Sequence, residues 1–188
     1  MPSLSVFNNI SLDGYFTDAS NDMSWAHEGS DDAEFQAFTN GNAQSDGVLV
    51  FGRITYDMMA SWWPTPQAAE AMPLVAQRMN DAGKIVFSRS MEKPAWQKTT
   101  LISADPAAAM AKLKSGDGKD MVMMGSGEVV ALMTEAGLID EFQFVVCPCV
   151  LGAGRSMFDG VSARPRLTLQ ETRTFKNGKV FLSYRKSA

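Results

Sequence analysis

Short apolar runs recur along the chain and alternate with segments in which apolar residues return every three or four positions. Val48-Leu49-Val50-Phe51 and Met121-Val122-Met123-Met124 are apolar throughout, the pattern of strands covered by helices on both faces. Strands are expected at 4–9, 47–51, 84–87, 99–103, 121–124, 141–150, 166–174 and 179–184. Helices are expected near 31–42, 54–63, 73–81, 105–115 and 127–137. Asp105 followed by Pro106 opens the fourth of these, with Asp at the cap and Pro in the first turn. The last two strands alternate apolar and polar residues and are joined at Lys176-Asn177-Gly178-Lys179, a hairpin signal. The pattern predicts an α/β chain with an antiparallel C-terminal end. No linker or repeat divides it, so one domain over 1–188 is expected.

Composition agrees with a packed chain: 45% of the residues are hydrophobic and 20% charged. No run approaches the roughly 18 consecutive apolar residues of a membrane helix, and the first residues lack the pattern of a secretory signal. A protein with no membrane association is expected, in the cytoplasm. Seventeen basic against twenty-one acidic side chains leave a net charge of -4, which offers nucleic acid no general attraction. The charges are unevenly placed. Residues 1–52 carry eight carboxylates and no Lys or Arg, whereas 155–188 carry eight cations against Asp159 and Glu171. Either these are two solvated faces, or they line opposite sides of one cleft. Cys147 and Cys149 fall two apart and the single histidine is His27, so neither a structural zinc site nor a histidine-based hydrolase is supported. The cysteines read as small apolar strand residues of a reduced protein, and no metal is expected.

Three places share one architecture, an apolar strand delivering the chain to a turn from which a helix or polar loop starts. They are Gly52-Arg53-Ile54-Thr55 after the second strand, Ser88-Arg89-Ser90 after the third, and Gly125-Ser126-Gly127-Glu128 after the fifth. Helix starts present unpaired N–H groups and the positive end of the helix dipole, which suits phosphate. Gly125-Ser126-Gly127 lacks the third glycine of the dinucleotide fingerprint, because Val130 stands in its place, and no P-loop is present. Gly152-Ala153-Gly154 reads as a bulge or sharp turn. Met58, Met59 and Trp62 read as the core side of a helix. The stretch 64–73 reads as a loop, either a lid at the cleft mouth or a surface segment.

Together with Ser11-Leu12-Asp13-Gly14, Asp140-Glu141, Pro148 and Met157-Phe158, these motifs form an ordered set spanning nearly the whole chain. The set resembles the dihydrofolate reductase superfamily, closest to the reductase domain of bacterial riboflavin biosynthesis (the RibD C-terminal domain) and its stand-alone relatives. The resemblance implies a three-layer fold with a mixed, mostly parallel sheet and helices on both faces. It also implies NADPH as cofactor and hydride transfer to a small heterocyclic substrate of the riboflavin-pathway pyrimidine type. Two alternatives stand beside that activity: a nucleotide-binding module without catalysis, and a true dihydrofolate reductase.

Residue by residue, the resemblance implies that Gly52, Arg53, Ile54 and Thr55 hold phosphate, as do Gly125, Ser126, Gly127 and Glu128 through their backbone N–H groups. Ser88 and Arg89 would meet the 2′-phosphate of NADPH, since no carboxylate lies there to read a 2′-hydroxyl. Asn9 would contact the nicotinamide amide, with Asp13, Gly14 and Phe16 shaping the loop beside it; Asp13-Gly14 also reads as an ordinary tight turn. Asp31 is the candidate catalytic carboxylate, one helical turn before Phe35, although acidic residues opening a helix also serve its dipole. Arg155, Arg164 and Arg166 are the cations available to a substrate phosphate. A homodimer is expected through the strands of 141–184.

Overall fold

The computed structural model describes residues 1–42 and 45–187. Its elements run β1 (Leu4–Ser11), β2 (Tyr15–Asp18), a 3-10 turn (Ser24–His27), α1 (Ala33–Asn42), β3 (Val48–Gly52) and α2 (Arg53–Trp62). Then come α3 (Pro66–Ala71), α4 (Pro73–Asp81), β4 (Lys84–Phe87), β5 (Thr99–Ile102), α5 (Pro106–Ser115), β6 (Met121–Met124) and α6 (Gly127–Glu135). The chain closes with β7 (Glu141–Cys147), β8 (Gly154–Ser156), β9 (Leu167–Thr174) and β10 (Val180–Lys186).

Eight strands form one sheet in the order β5-β4-β3-β6-β1-β7-β10-β9. From β5 to β7 every pairing is parallel; β10 runs antiparallel to β7 and β9 antiparallel to β10. This is the expected α/β architecture. The buried alternation of β1 sends Leu4 and Val6 to one face, against Met110 of α5 and Val130 and Met133 of α6. On the other face Phe38 of α1 packs against Val145, Phe175 and Phe181. Beside it, Tyr56 of α2 and Met79 of α4 pack on Leu49, Phe51 and Val86 with Trp96. Truncating a fully buried ring of this kind costs about 3–5 kcal/mol, so these layers hold the sheet edges that carry the site.

Several boundaries move for identifiable reasons. Helix α1 begins at Ala33, because Asp32 is its cap: Oδ1 accepts the Phe35 amide at 2.9 Å and Oδ2 the Asn177 amide at 3.0 Å. Strand β7 stops at Cys147, since Pro148 has no N–H to continue a ladder. The expected loop at 64–73 contains α3, which Thr65 caps by accepting the Ala68 amide at 3.2 Å, with Pro66 in the first turn. In α2 the buried positions are Thr55 and Tyr56, with Met59 packed against the core; Met58 and Trp62, four apart, face solvent. Only Met59 of the three expected core residues therefore keeps that role. Gly152-Ala153-Gly154 leads into β8, which pairs antiparallel with β2 in a small second sheet. A Cβ on Gly154 would collide with the Thr17 carbonyl, so that pairing requires glycine.

Two lysines are buried. Lys84 Nζ donates to the carbonyls of Asn80 at 3.1 Å and Ala82 at 2.8 Å, closing the end of α4, and lies 4.3 Å from the centre of the Trp96 ring. Burial drives its ammonium down to about 8. Lys179 Nζ donates to Ala26 O at 2.8 Å over the ring of Phe35. Among the described residues no helix is long and apolar enough to cross a membrane.

Candidate functional site

The parallel strands deliver the three glycine- and serine-rich junctions to one edge of the sheet, in the spatial order β4, β3, β6, with β1 next. Strands β3 and β6 are neighbours, yet the helices that follow them leave to opposite faces. Tyr56 of α2 belongs to one side of the sheet and Val130 of α6 to the other. A crevice therefore opens at the carboxyl ends of β3 and β6, the place where open α/β sheets bind ligands.

Both helix starts in that crevice lack a side-chain cap. Ser126 occupies the cap position of α6 with φ 63, in the left-handed region, which turns its hydroxyl away from its own helix. That hydroxyl accepts the Gly52 amide at 2.6 Å. Gly125, also left-handed, donates its amide to Asn8 Oδ1 at 2.6 Å and lies so close to Thr55 that a Cβ would come within 2.6 Å of Cγ2. A Cβ on Gly127 would come within 2.7 Å of the Phe16 ring. Glycines at 125 and 127 let two helix starts and one aromatic ring approach to contact, and the first-turn N–H groups stay free of side-chain acceptors. Thr55 is nine-tenths buried, and its hydroxyl has no hydrogen-bond partner among the described residues.

The remaining expected residues take different roles. Arg53 and Ile54 are exposed in the first turn of α2, Arg53 paired with Asp57 at 3.2 Å along its own helix. Ser88 Oγ accepts the amides of Ser90 at 3.2 Å and Met91 at 3.0 Å, which shapes the turn after β4, and Arg89 stands exposed beside it. Asp13 is a clasp. Ser11 donates to its Oδ1 at 2.6 Å, Leu151 to the same oxygen at 3.1 Å and Gly152 to Oδ2 at 2.8 Å. The Ser11 hydroxyl first, and the Gly152 and Leu151 amides after it, hold the carboxyl down to about 2. Gly14, with φ 88, closes the turn by donating to Ser11 O at 3.0 Å, so the tight turn and the loop-shaping role coincide. Phe16 is buried beneath the start of α6.

Asp31 does not join this group. It sits in the turn before α1, exposed, so it shares no helix face with Phe35 and the expected one-turn relation fails. Asn9 lies on the face of β1 opposite Asn8 and is half-buried, on the side where Phe7 packs against Phe38. Arg155 stands at the start of α6 rather than apart from it, 3.4 Å from Glu128 Oε1 and 5.7 Å from the centre of the Phe16 ring. The acidic and basic ends of the chain meet elsewhere, at Glu34 and Arg173. Sequence reasoning missed Asn8, for which a buried Asn inside an apolar strand was the available signal. It named Arg155 among the cations for a substrate phosphate but not its place beside Glu128 and Phe16, which needed the pairing of β2 with β8. Among the described residues no cluster of side chains could hold a metal ion.

The family model described as the RibD C-terminal domain matches residues 2–181. The uncharacterized protein YyaP of Bacillus subtilis (strain 168) is 28% identical over 175 residues, covering 93% of this chain and 90% of that protein. A solved structure from Shewanella sp. PV-4, provisionally assigned as a riboflavin biosynthesis protein, superposes with a TM-score of 0.74 at 22% identity, covering 99% of each chain. The diaminohydroxyphosphoribosylaminopyrimidine deaminase/5-amino-6-(5-phosphoribosylamino)uracil reductase of Thermotoga maritima superposes with a TM-score of 0.69 at 15% identity. That match covers 99% of this chain and 57% of the longer one.

Proposed function

Because this chain belongs to the RibD C-terminal domain family, we propose that it is an NADPH-dependent reductase of a small heterocycle, of the riboflavin-pathway pyrimidine type. The observation that carries the reading is the crevice between β3 and β6, where two uncapped helix starts lie side by side. Two sets of free N–H groups and two dipole ends converge there, and a diphosphate is the ligand that satisfies both. The donor set fits that ligand. The Thr55 hydroxyl is unpartnered, Arg53 is within the first turn, and the nearby carboxylates Asp57 and Glu128 are each offset by an arginine.

A reduced nicotinamide dinucleotide supplies hydride when bound; the chain's own residues bind and orient. Ser88 and Arg89, in the turn after β4, the strand next to β3, offer a hydroxyl and a forked cation to a 2′-phosphate. Asp13 fixes the turn after β1 to the Leu151–Gly152 segment, which gives the ring end of the site a rigid wall. Asn9 is the proposed contact to the nicotinamide amide. The name of the Thermotoga maritima protein includes a phosphoribosylaminouracil reductase, which supports a pyrimidine as acceptor. Dihydrofolate is disfavoured, since the carboxylate expected on the first helix stands outside it.

The test is thermal unfolding with NADPH, with NADH and without ligand, followed by NADPH consumption on 5-amino-6-(5-phosphoribosylamino)uracil. Ligand at about 100 times its Kd adds about 2.7 kcal/mol, or about 5–10 °C for a chain of this size. A shift with NADPH and consumption with the pyrimidine are expected. No shift with either nucleotide would overturn the reading. The position of Asp31 favours one second reading, a nucleotide-binding module with no acceptor of its own; a shift without consumption would point to it.

A further inference from the structure

We propose that Arg155 is a phosphate-binding residue of this site, and that Glu128 occupies it electrostatically until a ligand phosphate takes its place. The inference rests on the nucleotide-binding reading above. Arg155 lies on β8 and reaches the start of α6 only because β8 pairs with β2. Its guanidinium rests over the Phe16 ring, and that ring abuts Gly127 with no room for a Cβ. The guanidinium carbon, 5.7 Å from the ring centre, thus lies beside the first turn of α6. A guanidinium placed there offers several N–H groups for a forked contact with phosphate oxygens.

The present partner of that fork is Glu128, in the first turn of α6. The carboxylate is 86% exposed and the contact is 3.4 Å, a loose pair in water that exchanges readily. Two features beyond the helix end point to an incoming anion. Thr55 is a nine-tenths buried residue packed against Gly125 in the same crevice, and its hydroxyl makes no hydrogen bond to another described residue. The Ser126 hydroxyl, which an ordinary cap would turn to the first-turn amides of α6, faces Gly52; the Val129 amide is taken by the Ser126 carbonyl at 2.8 Å, and the Gly127 and Glu128 amides have no side-chain acceptor among the described residues. Without Arg155, Glu128 would repel a phosphate at these amides. With Arg155 released to the ligand, the carboxylate swings into solvent. Glu128 therefore competes for Arg155 and sets how tightly the site holds an anion.

The experiment is calorimetric titration of inorganic pyrophosphate and of NADPH into the wild-type chain, Arg155→Ala and Glu128→Gln. Arg155→Ala is expected to weaken both probes about tenfold or more, the loss of one charge-assisted phosphate contact. Glu128→Gln is expected to tighten both by roughly two- to fivefold, the factor that corresponds to an exposed ion pair. A gain of affinity cannot come from damaged folding. Wild-type affinity in Arg155→Ala, or weaker binding in Glu128→Gln, would overturn the proposal while leaving the nucleotide site standing. Failure of the wild-type chain to bind either probe would overturn both.

Discussion

The hydroxyl of Ser126 accepts the backbone N–H of Gly52 at 2.6 Å, so the cap residue of one helix holds the cap residue of its neighbour. The bond ties the end of β3 to the turn after β6 and sets the spacing of the two helix starts. Ser126→Ala leaves the Gly52 amide without its acceptor and should cost about 1–3 kcal/mol. Ser126→Gly loses the same bond but relieves the left-handed backbone, worth about 1–2 kcal/mol, so it should be the milder variant. Denaturant unfolding of both variants decides the matter; equal losses would mean that the left-handed backbone carries no strain.

Gly125 and Thr55 offer a test of the close approach itself. A Cβ on Gly125 falls 2.6 Å from Thr55 Cγ2 and 2.8 Å from its Oγ1. Gly125→Ala should therefore destabilise by about 1–3 kcal/mol through overpacking, in addition to strain at φ 62. Thr55→Ala in the same chain removes both colliding atoms and should recover the overpacking part. A double-mutant cycle read by unfolding gives the coupling, expected to be about 1 kcal/mol or more. Purely additive losses would show that the turn does not press on α2.

What could be read from the sequence follows from range. The strands of the parallel sheet were legible because each is a short uniform run, and the hairpin because Asn177-Gly178 marks it; Gly178 donates to Phe175 O at 3.0 Å there. The junctions were legible because Gly52, Ser88 and Gly125 stand directly after such runs. Contacts between segments distant along the chain were not. Nothing near Arg155 in sequence announces Phe16 or Glu128, and β2 and β8 are too short to show a period. Lys179 carries no local mark of burial, because its acceptor is Ala26 O, far along the chain; Lys84 finds its carbonyls two and four residues back, but the Trp96 ring that covers it comes from another segment. Asp31 falls outside α1 for a local reason: with Asp31 and Asp32 adjacent, the sequence does not say which one is the cap.

On the proposed reading, Arg89 separates the two nicotinamide dinucleotides. It stands exposed after β4, next to the Ser88 turn. Arg89→Ala should weaken NADPH by about 1.5–3 kcal/mol, tenfold or more, and leave NADH nearly unchanged, because only the first has a 2′-phosphate to lose. Fluorescence titration of both cofactors measures the difference. Equal weakening of the two would remove Arg89 from the 2′-phosphate.

The free edge of the sheet predicts self-association. Strand β9 is the last in the order, and seven of its eight residues are exposed. We propose that two copies pair antiparallel along β9 about a two-fold axis at Thr172, which sets Glu171 of each copy opposite Arg173 of the other. Sedimentation at micromolar concentration should give a dimer. Glu171→Arg should weaken it and Glu171→Arg with Arg173→Glu should restore it. A monomeric wild-type chain would sink the pairing, and a failed rescue would move the axis.

Asp13 gives the pH dependence its sign. Its carboxyl is held at about 2, against an ordinary 3.8, by the Ser11 hydroxyl and the amides of Gly152 and Leu151. All three donate to the ionised form, so the folded state binds its proton less readily than the unfolded chain. A carboxylate of this kind contributes stability that is fully present above its unfolded pKa and is lost as pH falls through the folded one. The window is therefore about pH 4 down to pH 2. Asp32, Asp120 and Glu135, also held low by donated hydrogen bonds, titrate in the same direction, so the wild-type curve alone does not isolate Asp13. The difference from Asp13→Asn does. The amide keeps one acceptor oxygen and turns an N–H toward a donor, so the variant is less stable at pH 7. Acid removes the wild-type advantage, so the gap between the two denaturation midpoints should be constant from pH 7 to pH 5 and shrink steadily below pH 4. A gap unchanged at pH 2.5 would mean that the clasp does not depend on the charge of Asp13.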